Sequence, residues 1–159
     1  MQKKSAPFQL PPALVAGMGV VMASWVSFGR HLFDKDGPFT IVYVILAGIP
    51  IVVMHLIIAK RLGRVARSTF RQSRATVTSL VTAWVLFTGL GLTIPDRPVS
   101  SLETIVTGAN EPWLGLAIGI ANPLGIIGLA LTVAALLLSK RDLMGAQPTE
   151  DEILDAAGY

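Results

Sequence analysis

His55 is the one side chain within the long apolar stretches of this sequence that can take or release a proton near neutral pH. Its chemistry depends on what stands beside it. A haem held between two histidines needs a second ring at the same depth, yet the other histidine, His31, falls in a loop at the opposite membrane face. A proton relay needs a carboxylate nearby, and the apolar stretches contain no Asp, Glu, Lys or Arg. His55 is therefore expected to make an interhelical hydrogen bond, for instance to a serine, a threonine or a backbone carbonyl. The chain has no cysteine, so disulfides, thiolate metal sites and cysteine nucleophiles are excluded. It also has no phosphate-binding glycine loop, dinucleotide fingerprint, His-Glu-x-x-His or nucleophile elbow. The expectation is a protein without catalytic residues, cofactor or metal.

The elements that would carry His55 follow from composition. Of 159 residues, 52% are hydrophobic and 14% charged, and the mean hydropathy is +0.63; a soluble chain would have about 25% charged residues. Crossing a hydrocarbon layer of about 30 Å at about 1.5 Å per residue takes roughly 20 apolar residues. Four runs meet that requirement: Pro11 to Gly29, Pro38 to Ala59, Thr76 to Ile94 and Trp113 to Ser139. The expected fold is all-α, a polytopic membrane protein forming a single membrane domain over 1–159. Lys3 and Lys4 ahead of the first run resemble a secretory signal with a cut after Ala23, but the run is long for a signal core of about 7 to 15 residues and is expected to be retained.

Orientation follows from the basic residues. Lys3, Lys4, Lys60, Arg61, Arg64, Arg67, Arg71, Arg74, Lys140 and Arg141 fall on one side, whereas Arg30, Lys35 and Arg97 fall on the other. Both termini are thus expected to be cytoplasmic. Although the net charge is +3, the basic residues border apolar spans, so their expected partner is the membrane surface and not nucleic acid.

The connections and small residues supply the remaining candidates. In the basic loop 60–75, Arg61, Arg64, Arg67, Arg71 and Arg74 recur at steps of three and four, predicting a basic amphipathic helix. Such a helix would anchor topology, bind anionic lipid at about 1 kcal/mol per basic residue, or seat an acidic partner. In the outer loop 95–112, Ser100 and Glu103 have capping-box spacing, predicting a short helix that ends by Gly108. Thr149 and Glu152 repeat the spacing in the tail 140–159, ahead of Ile153 and Leu154, and predict a docking helix there. Gly115 and Gly119 form a GxxxG pair, Gly17 follows Ala13 at the same spacing, Gly125 and Gly128 form a second notch, and Thr82 lies on a small, mildly polar stripe with Thr78 and Gly89; all are expected to pack helices. Pro50 and Asn122-Pro123 interrupt two spans, and Asn122 is expected to hydrogen-bond across helices. Trp25 and Trp113 suit an interfacial belt, whereas Trp84 is expected to pack against protein.

In size, four-span layout, inward termini and charge-free spans, the chain resembles the small accessory subunits of actinobacterial respiratory supercomplexes, in which a cytochrome bc complex joins cytochrome oxidase. The resemblance is one of layout across the spans and brings no functional residue to any position. It implies a cofactor-free accessory subunit of the plasma membrane, placed beside larger, cytochrome-bearing membrane subunits and stabilising their assembly or the lipid between them. Two rival readings come from the residues themselves. A small oligomeric transporter or lipid-handling protein would need an apolar substrate, given the missing intramembrane carboxylate. A sensor would read anionic lipid through the basic loop.

Overall fold

A computed structural model describes residues 9–35, 37–68, 70–97 and 101–145. Pro12 sits in the first helical turn, where its missing N–H is not needed, and opens α1 (Pro12–Phe28). The chain tightens into a 3₁₀ turn at Gly29–Phe33 and stops at Asp34, whose φ of 53° is left-handed. Then follow α2 (Thr40–Val65), α3 (Arg74–Thr93) and α4 (Trp113–Met144). Each is long and apolar enough to cross a membrane, so the fold is the expected all-α, four-helix membrane architecture. The helices lie over the four apolar runs, with α2 and α4 extending past them.

The helices form a square in the order α1, α2, α4, α3, with α1 diagonal to α4 and α2 diagonal to α3. One core cluster includes Met22, Val26, Ile51, Phe87, Leu90 and Ala121, and a second includes Val15, Ile58, Leu62, Leu80 and Ala135. Close approach is set by glycines. A Cβ on Gly19 would lie 2.4 Å from the His55 Cβ, one on Gly48 2.6 Å from Ser27 Oγ, and one on Gly128 2.8 Å from the Phe87 ring. Gly128 belongs to a notch the spacing singled out; Gly19 and Gly48 do not.

The expected packing residues are placed differently. Gly17 and Gly119 have no atom within 4 Å of a Cβ position, Gly115 meets only its neighbour Glu111, and Thr82 is exposed. They do not pack helices within this chain. The reason is geometric: small residues recur on more than one face of α4, and the inward face is the one through Ala117, Ala121, Gly128, Thr132 and Ala135. Gly115 and Gly119 lie on the other side. Trp113 is 61% exposed, as a belt residue should be, but Trp25 is half-buried and donates to the Thr88 carbonyl at 3.1 Å.

Both loop helices are also corrected. The basic segment does not form a helix of its own, because α2 carries its packing face on through Leu62 and Val65, which are buried. A turn at Ala66 and Arg67 follows, and the chain is non-helical from Phe70 to Ser73 before Ser73 caps α3, its Oγ accepting from the Thr76 N–H at 3.2 Å. The five arginines are thereby divided between two helix ends and a loop. In the outer loop, Asp96 and Glu103 exchange backbone hydrogen bonds at 2.9 and 2.8 Å, and Thr104 pairs with Gly108. This pairing occupies backbone groups that the expected short helix, capped by Ser100 and ending by Gly108, would have used. Ser100, Lys3, Lys4 and the tail pair Thr149 and Glu152 lie outside the described residues.

Neither proline breaks its helix. Pro50 has no N–H for the Leu46 carbonyl, and α2 widens into a π turn at Val44–Gly48 just before it, relieving the crowding its ring would cause. Pro123 is carried inside α4.

Candidate functional site

Polar side chains are gathered at three depths of the bundle. At the end away from the basic loop, the 3₁₀ turn after α1 brings Arg30 inward, and the chain leaving α3 brings Asp96 to meet it; they are 1% and 0% exposed. Arg30 Nε lies 3.4 Å from Asp96 Oδ2, and the guanidinium carbon sits 4.4 Å from the centroid of the Tyr43 ring. Arg30 Nη2 donates to the Ser27 carbonyl at 3.2 Å, and the Tyr43 hydroxyl donates to the Pro95 carbonyl at 2.6 Å. Asp96 Oδ1 accepts from the backbone N–H of Arg97 at 2.8 Å and of Phe39 at 3.3 Å. Arg30 Nε, Arg30 Nη1 and Asp96 Oδ2 have no hydrogen bond among the described residues. Lys35 and Glu103 pair closer to the surface.

This cluster joins α1, the start of α2 and the loop after α3. Sequence reasoning counted Arg30 and Asp96 only as loop charges. The available signal was their position: opposite charges just beyond the ends of two apolar runs on one side of the membrane.

At the middle depth, His55 is fully buried. Its Nδ1 donates to the Ile51 carbonyl at 2.8 Å, and its Nε2 accepts from Trp84 Nε1 at 3.0 Å. The indole can only donate, so Nε2 carries no proton and the ring is the neutral Nδ1–H tautomer. This is the expected interhelical hydrogen bond, with Trp84 as partner in place of a hydroxyl or carbonyl. It spans the α2–α3 diagonal, which only long side chains can bridge, and Trp84 packs against protein as expected. Both ring nitrogens are engaged, Nδ1 within α2 and Nε2 across to α3. Trp84→Phe is expected to lower stability in detergent by about 1 kcal/mol. Trp84→Phe combined with His55→Leu should cost less than the sum of the two single changes in thermal unfolding; strict additivity would show that the bond contributes nothing.

At the basic end, Asp142 Oδ2 accepts from the Thr76 hydroxyl at 2.7 Å and the Ser73 N–H at 3.1 Å, tying α4 to the start of α3. Gln72 gives and takes hydrogen bonds with the backbone of Leu10, at 2.8 and 2.9 Å. Arg61 donates to the Leu136 carbonyl. Arg64, Arg67, Arg71 and Arg74 are exposed, so four of the five predicted arginines are presented outward and one is committed to α4.

Asn122 is exposed on α4 and makes no hydrogen bond within the described residues, so its expected interhelical contact is not made inside this chain. It shares the outward side with Gly115, Gly119, Pro123 and Ile126. Pro123 has no N–H to offer the Gly119 carbonyl four residues earlier. An amide and an under-bonded carbonyl thus lie together on the apolar outer side of a span, about 14 Å from Trp113 at about 1.5 Å per residue. No group of three His, Cys, Asp or Glu able to hold a metal occurs among the described residues.

No family model matches the chain, and no curated protein or solved structure is detectably similar to it.

Proposed function

We propose that this chain is a non-catalytic accessory or assembly subunit of a larger complex in the cell membrane, joined to it through the outward side of α4. The observation that carries this reading is the group formed by Gly115, Gly119 and Asn122, with a carbonyl left short of a donor by Pro123. Lipid tails offer no hydrogen bond to an amide, so such a group is at its lowest energy against another helix. Gly119, with no side-chain neighbour, and Gly115, beside only Glu111, let that helix approach closely. The basic side, with both termini, is assigned to the cytoplasm and the membrane to the plasma membrane. The four-span layout makes the larger subunits of a respiratory supercomplex, some bearing cytochromes, the first partners to look for.

The test is affinity purification of the tagged full-length protein in mild detergent, read by mass spectrometry and by visible absorption for haem. Stoichiometric companion subunits are expected, with any haem belonging to them. Gly119→Val with Asn122→Leu should strip the companions away while leaving the melting temperature of the isolated chain unchanged. A clean homo-oligomer without companions would overturn the proposal in favour of a transporter or lipid-handling protein.

A further inference from the structure

Where the chain passes from the basic loop into α3, a cavity of about 630 Å³ lies between that segment and the end of α4. Its walls combine two arginines, Arg71 and Arg141, with the apolar side chains of Phe70, Ala75 and Leu138. Sequence reasoning used Arg141 only as a topology charge and placed Arg71 on a helix with Arg61, so their sharing one cavity is decided by the fold. Neither has a hydrogen-bond or ion-pair partner among the described residues.

The cavity is held in shape from both sides. The Gln72 side chain is tied to the Leu10 backbone and the Ser73 N–H to Asp142, which anchors the segment at two successive residues. Phe70 lies against Gly145, where a Cβ would meet its ring at 2.8 Å, closing the segment onto the end of α4. Asp142 is the one carboxylate in the lining, and it is 7% exposed with Oδ2 already accepting from Ser73 and Thr76. The two guanidinium groups are thus the free charges of the cavity. Guanidinium presents paired donors that match phosphate oxygens, and an apolar wall running onto two membrane helices suits the chains attached to that phosphate.

We infer that this cavity binds the phosphate headgroup of an anionic phospholipid between Arg71 and Arg141. The site does not depend on the partner complex and is present in the isolated chain.

The probe is phosphatidylglycerol, titrated against phosphatidylcholine onto the full-length protein in neutral detergent and followed by native mass spectrometry. The anionic lipid is expected to bind about tenfold more tightly, and Arg71→Gln with Arg141→Gln should abolish the preference. Arg64→Gln with Arg67→Gln removes equal charge outside the cavity and should preserve it. Equal loss in both pairs would mean diffuse surface charge, and an unchanged preference in the cavity pair would mean another site; either overturns the inference. Glycerol 3-phosphate at millimolar concentration should not displace the lipid; displacement would make a soluble phosphoester the ligand. Neutralising Glu150, Asp151 and Glu152 as amides should leave the lipid affinity unchanged. A tenfold gain would mean that the acidic tail competes for the arginines, which overturns lipid as the resident occupant. Loss of companion subunits in Gly119→Val, Asn122→Leu protein tests the subunit proposal separately, since that pair lies far along α4 from the cavity.

Discussion

Asp96→Asn is expected to destabilise the protein by about 3–5 kcal/mol, measured by denaturant or thermal unfolding in detergent with tryptophan fluorescence. The substitution keeps the volume and an oxygen for the Phe39 and Arg97 N–H groups, but removes the charge that faces Arg30. Arg30 is 1% exposed, three atoms of the pair already lack hydrogen bonds among the described residues, and Asp96 is the only carboxylate among them that acts on the guanidinium. The Tyr43 ring compensates only in part, since a cation over an aromatic face gains about 2 kcal/mol even when desolvated. Adding Arg30→Met to Asp96→Asn should restore most of the loss, because removing both charges removes the desolvation cost as well. If Asp96→Asn unfolds like the parent, or if Arg30→Met makes it worse, the ion pair is not what holds the loop after α3 to the end of α1.

The second large effect separates two glycines on one helix. Gly19→Ala is expected to cost roughly 1–3 kcal/mol, because its Cβ would stand 2.4 Å from the His55 Cβ and α1 and α2 must separate to admit it. Such a movement also strains the bond from Trp84 to His55, so a shift in Trp84 fluorescence should accompany it. Gly17→Ala, two residues away, meets nothing within 4 Å. Alanine is the better helix former by about 1 kcal/mol, so the isolated protein should be unchanged or slightly more stable. Equal destabilisation by the two substitutions would show that α1 does not present the Gly19 face to α2.

The four helices were legible because lipid imposes a length and composition that few other constraints mimic. His55 was legible for a similar reason: a polar ring in a charge-free span must find a hydrogen bond, and the structure supplies Trp84. Which small residues pack was not legible. Gly115 and Gly119 match the helix-contact spacing as well as Gly125 and Gly128 do, and only the placement of α4 against α3 and α2 selects the second pair. The basic loop misled for a related reason. Steps of three and four describe a helix face only while the helix continues, and this one ends at Val65, after which Gln72 is tied to Leu10 and Ser73 to Asp142 in a non-helical segment.

By itself, then, the sequence determined four apolar helices, their alternation across a membrane, the uneven distribution of basic residues and the need of His55 for a partner. These depend on composition and local spacing. The tertiary structure alone decided that Arg30 and Asp96 are buried together, that Arg71 and Arg141 share one cavity, and that Gly115, Gly119 and Asn122 face outward. Each of those depends on how helices distant in the chain are rotated about their own axes, and rotation is set by the packing of one helix on another.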